Sequence, residues 1–432
     1  MIFAGVGENV ITPPVGAPIV GTIAPCTGVH DDLFVRALVL SDGKEKVAIV
    51  SLDLCGMDFE TADEIRSKIK ATTQITTALL CSSHTHSAPF TIPYLVTPFK
   101  WLYEEGKVWR DEMIKKTVGA VQKAADNPQK ASLRVGRAIA QAGINRRHIV
   151  NGEFVMTPNP EGSVVPWVDV LRVDNTEGKP IAIFYTHAAH PVIVHGASPL
   201  ISGDYPAFAS ETIRKHFGNE VMPLFAQACG ADINGEPLRG GFDSAKAAGD
   251  KLGEAVVKAA NESVPITNTT IKTAFKKLLL PLEEFSPVDE LEKLVASMEA
   301  EQAQNPPGDD PYPNEFYLCF KDRLAKAKQG PPEPLRFELM GIGFGDEFGL
   351  IGLTHEVFSA YQLWADANLP FEHNFVTSYT NACESYIPTD QGLDEGGYEG
   401  ANHGAALMWP RRSRLQKGAE EIIKEAMKGL FK

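Results

Sequence analysis

Two histidines that are one residue apart, His84 and His86, are the clearest sign of chemistry in this sequence. They follow the apolar run Ile75 to Leu80, which is typical of a buried strand. Because a strand directs residues i and i+2 to the same face, both imidazoles should emerge side by side where the strand ends. Imidazole pairs of this kind often begin a zinc site, although an isolated H-x-H also occurs among ordinary core histidines.

Two further apolar runs end in residues that can bind metals, namely His187 and His190 after the first and His355 and Glu356 after the second. Three strand ends that carry His or Glu could converge on one ion. Zinc accepts imidazole and carboxylate ligands, and in a catalytic site it keeps one position open for water. The alternative is that these residues are separate, hydrogen-bonded core histidines, and that interpretation is favoured for His187 and for His195.

The elements that must position these residues alternate between strands and helices. The sequence predicts a strand at 46–54, a helix from Asp58 to Lys70 with Asp58 as its N-cap, and a strand at 75–81. The next predicted elements are a helix at 104–126, strands at 131–137, 168–173 and 181–185, a helix at 207–216, a strand at 221–226 and a helix at 244–261. This order predicts an α/β fold of mixed α+β layers, with layers on both faces of a sheet.

The segment 281–334 differs from its surroundings because it is polar and rich in residues that favour helices. A stretch rich in Pro, Gly and Asp at 305–311 divides it into two arms, which predicts a helical hairpin inserted into a single catalytic domain spanning 1–432. The first arm, 287–304, is acidic on its solvent side, as a solvated helix face usually is. A more specific interpretation is that the hairpin forms a lid over the site, because long insertions are often functional.

Two strands and one helix are predicted after the insertion. Strands at 337–344 and 348–353 flank Gly345, which indicates a β-hairpin whose second strand leads to Glu356. The last segment, Arg411 to Phe431, has the pattern of an amphipathic helix with basic residues near its end.

The overall composition argues against several kinds of partner. A formal net charge of −14 disfavours nucleic acid and anionic membrane surfaces, which both attract clustered Lys and Arg. The start of the sequence lacks a basic region followed by an apolar one, and no stretch has the ~18 apolar residues of a spanning helix. The expected location is therefore cytoplasmic, without a stable membrane anchor. The six cysteines are scattered, which indicates reduced thiols.

Several short blocks, in one order from residue 5 to about residue 402, carry a family resemblance. The blocks are Gly5-Val6-Gly7 with Ile11 to Gly16, Val50 to Leu54, His84-Thr85-His86-Ser87-Ala88-Pro89, Ile144-Asn145-Arg146, His190-Pro191 with Ser202-Gly203-Asp204, Phe225-Ala226-Gln227 with Asp232, Glu356-Val357-Phe358, and Asn381, Tyr386, Thr389 and Tyr398-Glu399. In this order they resemble the catalytic domain of the neutral ceramidase family (neutral/alkaline, non-lysosomal), zinc-dependent amidases that cleave an N-acyl bond.

The resemblance implies a zinc site and a substrate site. The implied zinc ligands are His84, His190, Glu356 and Tyr386, with a water molecule completing the coordination. The implied substrate-facing residues are His86, Arg146 and Tyr398. Bound zinc can lower the pKa of water to about 7 and polarise a carbonyl group. The metal, His86 and Arg146 would then meet the negative charge that develops during the reaction.

The sequence departs from the family pattern at three places. Asn234 stands where the family has a serine in a G-D-V-S-P-N turn, and an amide cannot accept an acyl group, so the water route gains weight. Cys229 nearby is interpreted as a small buried residue and not as a replacement nucleophile. Cys383 stands where the family has the first tyrosine of its later block. The family also carries a C-terminal β-sandwich, whereas this sequence ends in one helix, so a long-chain ceramide is not implied.

The sequence thus predicts a zinc-dependent hydrolase that cleaves the C–N bond of a small or modestly apolar N-acyl amide with metal-activated water. A zinc esterase or lactonase would use the same residues, because ester and amide hydrolysis share a tetrahedral oxyanion. A non-catalytic protein that binds a metal or ligand is the second alternative, supported by the replaced serine and by Cys383. An amidohydrolase barrel also opens with H-x-H, but here the pair follows about 80 residues of sequence.

Overall fold

The computed structural model describes residues 1–306, 308 and 310–432. Its strands are β1 (Ile2–Val10), β2 (Gly28–Val29), β3 (Phe34–Ser41), β4 (Lys46–Leu52), β5 (Thr77–Ser82), β6 (Gln129–Ile139), β7 (Gly143–Val150), β8 (Glu153–Asn159), β9 (Trp167–Asp174), β10 (Pro180–His187), β11 (Leu200–Ile201), β12 (Met222–Gln227), β13 (Ile233–Gly235), β14 (Val264–Pro265), β15 (Ile271–Leu280), β16 (Leu335–Phe344), β17 (Phe348–Leu353), β18 (Glu356–Val357), β19 (His373–Thr377) and β20 (Tyr386–Ile387).

The helices are α1 (Phe59–Thr73), α2 (Val96–Lys100), α3 (Lys107–Asp126), α4 (Tyr205–Phe217), α5 (Gly241–Asn261), α6 (Val288–Gln304), α7 (Tyr312–Ala327), α8 (Ser359–Asn368), α9 (Asp390–Glu395), α10 (Gly397–Gly400), α11 (Ala405–Met408) and α12 (Ala419–Lys428), with a 3₁₀ turn at Trp101–Tyr103. None of them, in the part of the chain that the structure describes, is long and apolar enough to cross a bilayer.

A nine-stranded mixed sheet forms the centre of the molecule. Its strands run in the order β12-β10-β9-β6-β1-β3-β4-β5, with β14 also paired to β6. The pairs β4·β5 and β10·β12 are parallel, and each is joined by a crossover that contains a helix, α1 in the first and α4 in the second. The other ladders of this sheet are antiparallel.

A second sheet, in the order β15-β16-β17-β19, packs on one face of the central sheet, and helices cover the other face. The alternation along β4 shows both contacts, since Val47 and Ile49 join the apolar cluster shared with the second sheet. Val50 and Leu52 instead face α1 and α3. At the opposite end of the central sheet, α4 and α5 cover β9, β10 and β12 in the same way. The predicted α/β fold with mixed layers is confirmed.

Most elements begin and end within a few residues of the sequence prediction. The carboxylate of Asp58 accepts a hydrogen bond from the Thr61 amide at 3.1 Å, which confirms it as the cap of α1. The two arms of the insertion are the helices α6 and α7, between the paired strands β15 and β16.

The predicted C-terminal helix at 411–431 was wrong at its start, because α12 begins only at Ala419. Arg412 adopts a left-handed φ of 57° and donates to the carbonyls of Leu407 and Trp409. Arg414 pairs with Glu283 at 2.9 Å. These contacts hold the segment before α12 in a loop conformation, and they outweigh the helical pattern of its sequence.

Two glycines inside helices allow a matched test of the layer that α4 and α5 form. A Cβ on Gly249 would lie 2.5 Å from both the Phe208 Cβ and the Tyr205 carbonyl oxygen, whereas one on Gly119 would meet only the Asn9 amide at 3.6 Å. We expect Gly249→Ala to lower the free energy of unfolding by roughly 1–3 kcal/mol through overpacking. Gly119→Ala should raise it by up to ~1 kcal/mol, because alanine favours a helix. Urea unfolding of both variants provides the measurement, and equal effects would contradict the tight contact of α4 with α5.

Candidate active site

Four strands of the two sheets end close together, and each is followed by a polar residue of one buried cluster. His84 follows β5, His190 follows β10, Glu356 follows β17 and Tyr379 follows β19. The ring centroids of His84 and His190 lie 4.6 Å apart, and that of His84 lies 4.0 Å from Tyr379. The three strand ends singled out in the sequence therefore do converge, and a fourth joins them.

Backbone carbonyl groups orient both imidazoles of the cluster. His84 Nδ1 donates to the Cys55 carbonyl oxygen at 2.5 Å, and His190 Nδ1 donates to the Gly230 carbonyl oxygen at 2.8 Å. Burial lowers the pKa of His84 to about 3 and the pKa of His190 well below its ordinary value. Both rings are therefore neutral, with the proton on Nδ1 and the lone pair on Nε2.

Glu356 lies where these two lone pairs point. Its Oε2 is 3.1 Å from His190 Nε2 and 3.5 Å from His84 Nε2. The ligand atoms of the three residues all lie within 4.8 Å of one another, and all three side chains are buried. Burial raises the pKa of Glu356, while His84 and Arg146 oppose that rise. Two lone pairs and a carboxylate that face one another inside a protein make a site suited to a cation.

Tyr386 adjoins the cluster because β18 and β20 pair in parallel, with Glu356 directly opposite Tyr386. The Tyr386 hydroxyl is one of the groups that hold down the pKa of Glu356. It also accepts a hydrogen bond from Arg146 Nη2 at 3.2 Å. Burial and the charge of Glu356 raise the pKa of Tyr386 itself, and Arg146 opposes them.

Arg146 is buried beside the cluster, and each of its three guanidinium nitrogens donates one hydrogen bond. Nε donates to Glu399 at 2.8 Å and Nη1 donates to the side-chain oxygen of Asn234 at 3.0 Å. Glu399 also accepts from Arg147 at 2.6 Å. Asn234, which replaces the family serine, therefore helps to position Arg146.

His86 forms the link between the cluster and a cavity. Its Nε2 lies 3.3 Å from His84 Nε2 and its Nδ1 lies 3.2 Å from His195 Nδ1. Burial lowers the pKa of His86, and it lowers the pKa of His195 to about 4, so both rings are neutral. Tyr398 stands on the other side of the cavity, where its hydroxyl contacts that of Tyr94.

The cavity has a volume of about 270 Å³, and His86, Arg146, Tyr386 and Tyr398 all line it. Apolar side chains from four parts of the chain form another wall, namely Val20, Phe90, Leu95, Phe316 and Met408. Tyr312 and Phe316 come from α7, so the inserted hairpin contributes to the cavity. All seven site residues that the resemblance implied thus lie in or beside one cavity; the motion of the hairpin as a lid stays a prediction.

The structure gives other predicted or suspected residues a structural role. His187 Nδ1 donates to the Trp167 carbonyl oxygen, and His187 Nε2 accepts a hydrogen bond from the Ala142 amide, as expected for a core histidine. His355 is likewise bonded at both nitrogens, to Arg336 and Glu384. The Cys229 thiol is buried, and burial raises its pKa.

Sequence reasoning did not identify Tyr379 or the pairing of Glu399. The interpretation of His195 as a hydrogen-bonded core histidine was wrong, because His195 lines the cavity and contacts His86. Tyr379 donates to Glu356 at 3.3 Å from a left-handed backbone with φ of 51°. The strand before it, 373–377, has only Phe375 and Val376 as apolar residues, so the argument from an apolar run that identified His84 gives no signal at Tyr379. Glu399 was noted only as part of a motif, because nothing local shows that it pairs with an arginine some 250 residues earlier.

Comparisons with known proteins bear on the family and the fold of this chain. The family model described as neutral/alkaline non-lysosomal ceramidase, N-terminal, matches residues 4–250, more than half of the chain. Among solved structures, the fold is similar to that of neutral ceramidase from Pseudomonas aeruginosa, with a TM-score of 0.70 and 16% sequence identity over 99% of this chain and 74% of that one. A ceramidase complexed with C2 gives the same values. At such identity the structural similarity shows the fold alone.

The Arg146–Glu399 pair provides a prediction about stability. The Glu399 side chain is 2% exposed and forms ion pairs with two arginines. The Glu395 side chain is 23% exposed and forms an ion pair with one arginine, Arg147. Glu399→Gln leaves Arg146 buried without a counter-charge, and we expect it to lower the free energy of unfolding by roughly 3 kcal/mol. Glu395→Gln, the matched control, should cost less than ~1 kcal/mol. Equal losses in urea titrations would show that the buried pair has no special part in holding the site.

Proposed function

The chain belongs to the neutral/alkaline non-lysosomal ceramidase family, and from this premise we propose that it is a zinc-dependent hydrolase of the C–N bond in small or modestly apolar N-acyl amides. Family and fold support an amide-bond hydrolase. The observation that carries the finer proposal is the buried set of His84, His190 and Glu356, whose lone pairs and carboxylate face one space beside the cavity.

The donor set fits zinc. Two neutral imidazoles and one carboxylate are the ligands of several catalytic zinc sites, and their hydrogen bonds to backbone carbonyls fix the Nε2 lone pairs toward the ion. Tyr386 lies opposite Glu356 and offers its hydroxyl oxygen as a fourth ligand. When bound there, zinc supplies a Lewis acid that polarises the carbonyl group and makes water a better nucleophile.

The surrounding residues have the properties that amide hydrolysis requires. Arg146 keeps its charge at any working pH, because Tyr386 and Glu399 raise its pKa against the effect of burial, so it can stabilise an oxyanion at the cavity wall. His86 is neutral and reaches the cavity, so its imidazole can take a proton from the attacking water and return it to the leaving amine. The Tyr398 hydroxyl can donate to the substrate carbonyl or amide.

A covalent route lacks a nucleophile at this position. The side chain that replaces the family serine is the amide of Asn234, which is occupied by Arg146. Cys229 is buried, its thiol stays protonated, and it does not line the cavity. These facts favour direct attack by water.

We expect protein purified without added metal to contain about one zinc ion per chain, as measured by elemental analysis. His84→Ala and Tyr386→Phe should each lower the zinc content, and turnover of an N-acyl amide should fall by at least ~100-fold, since even outer-shell partners of metal ligands are worth 10–100-fold. His148→Ala is the control, because His148 is exposed on β7. Full zinc occupancy and normal rates in both site variants would refute this site.

Cys229→Ala tests the covalent alternative. Because the thiol is buried away from the cavity, we expect turnover within about twofold of the wild type, with a loss of stability of roughly 1 kcal/mol from the small cavity left behind. A folded, zinc-loaded Cys229→Ala protein without activity would establish instead that the thiol takes part in the reaction.

A further inference from the structure

The charges that line the cavity are all of one sign. Its lining contains two arginines, Arg146 and Arg239, and neither Asp nor Glu. This contrasts with a chain whose formal net charge is −14. Because a low-dielectric cleft concentrates the potential of its own charges, the cavity favours a negatively charged ligand over a neutral one.

Only one of the two arginines has its charge compensated. Arg146 is paired with the buried carboxylate of Glu399 at 2.8 Å. Among the residues that the structure describes, no carboxylate lies within ion-pair distance of Arg239, and the side-chain nitrogens of Arg239 donate no hydrogen bond. Its guanidinium therefore offers its full set of donors to a ligand, in a planar arrangement that matches a carboxylate.

The backbone holds Arg239 at the mouth of the cavity. The Arg239 amide donates to the Val192 carbonyl at 3.2 Å, and its φ of 60° is left-handed, a conformation that a non-glycine residue keeps only when its surroundings require it. Its Nε lies 3.5 Å from the position that a Cβ on Gly196 would take, so the Arg239 side chain lies against the backbone of Gly196. Arg239 also lies near His195 and Tyr312. Burial lowers the pKa of His195 and the Arg239 charge adds to that effect, whereas burial raises the pKa of Tyr312 and the Arg239 charge opposes the rise.

The position of Arg239 also limits where an anion would lie on the substrate. His195 contacts His86 at 3.2 Å, and His86 contacts His84 at 3.3 Å. Arg239 lies near His195, so an anion that Arg239 binds would be separated from the proposed zinc ligands by these two imidazole rings. The wall formed by Phe90, Leu95, Phe316 and Met408 is apolar and suits an acyl chain.

We propose, on the basis of the hydrolase function above, that the preferred substrate is an anionic N-acyl amide, with an apolar acyl chain and a carboxylate on the amine part that Arg239 binds. An N-acyl amino acid has this chemistry. Arg239 is then a specificity residue that binds the substrate and takes no part in bond cleavage.

Two matched substrates test this proposal: N-octanoylglycine, and N-octanoylglycinamide, which lacks the negative charge. We expect the zinc-loaded wild type to prefer the glycine compound by about tenfold in kcat/KM, the ratio that ~1.4 kcal/mol produces. Arg239→Gln should abolish this preference by raising KM for N-octanoylglycine. Arg239→Lys should keep part of it, since lysine retains the charge but not the planar donors. Lys251→Gln, which removes the same charge from an exposed position on α5, should change neither substrate.

Calorimetric titration of N-octanoylglycine into the wild type and into Arg239→Gln separates this proposal from the hydrolase function. If the wild type turns over neither amide but binds the glycine compound in an Arg239-dependent way, the anion site stands and the hydrolase function fails. If both amides are cleaved with equal kcat/KM, or if Arg239→Gln retains the preference, the anion site is refuted while the hydrolase function stands. Absence of both turnover and binding refutes both.

Discussion

The constraint on which the site depends is electrostatic, because three acceptors are held together away from water. The Nε2 atoms of His84 and His190 and the carboxylate of Glu356 would repel one another without a positive charge between or beside them. Arg146 supplies a permanent positive charge nearby, and Tyr379 donates one hydrogen bond to Glu356. The backbone carbonyls that fix each Nδ1 proton prevent the rings from turning to relieve the repulsion. The arrangement is therefore preorganised for a cation by the fold itself.

The same charges tie distant parts of the chain together. Glu399 forms ion pairs with Arg146 and Arg147 of β7. Arg414 forms an ion pair with Glu283 and donates to the Gly400 carbonyl. The irregular region after β20 is therefore held by contacts to two other parts of the chain. Buried ion pairs of this kind add little net stability, but removing one partner leaves an uncompensated charge inside the protein. This explains why the irregular segment 396–414 has a defined conformation although its helices are only single turns. The pairs hold in place the residues that line the cavity.

The sequence was sufficient to predict those parts of the site that follow long apolar runs. These runs predicted that His84, His187 or His190, and His355 or Glu356 follow strands that could converge, and the family resemblance selected His84, His190 and Glu356 among them. Tyr386 could be assigned only through the family resemblance, because β18 and β20 have two residues each and no periodicity. Glu399 and His195 act through contacts between segments that are distant in the chain, which no local pattern encodes. The C-terminal helix was predicted too early because Arg412 and Arg414 fit a helical pattern, whereas their partners lie in other segments.

The position of the helical hairpin has a consequence for how this scaffold can diverge. Strands β15 and β16 pair without interruption from Ile271 opposite Phe344 to Leu280 opposite Leu335, so the two ends of the insertion leave from adjacent points on a rigid support. Residues added to or removed from α6 and α7 would change the cavity wall that Tyr312 and Phe316 provide, yet they would leave the register of the sheet and the buried cluster of His84, His190 and Glu356 untouched. The helices that shape the cavity wall and the residues of the buried cluster thus lie in separate segments of the chain. Mutations in the hairpin can therefore change which substrates fit while the buried cluster is preserved.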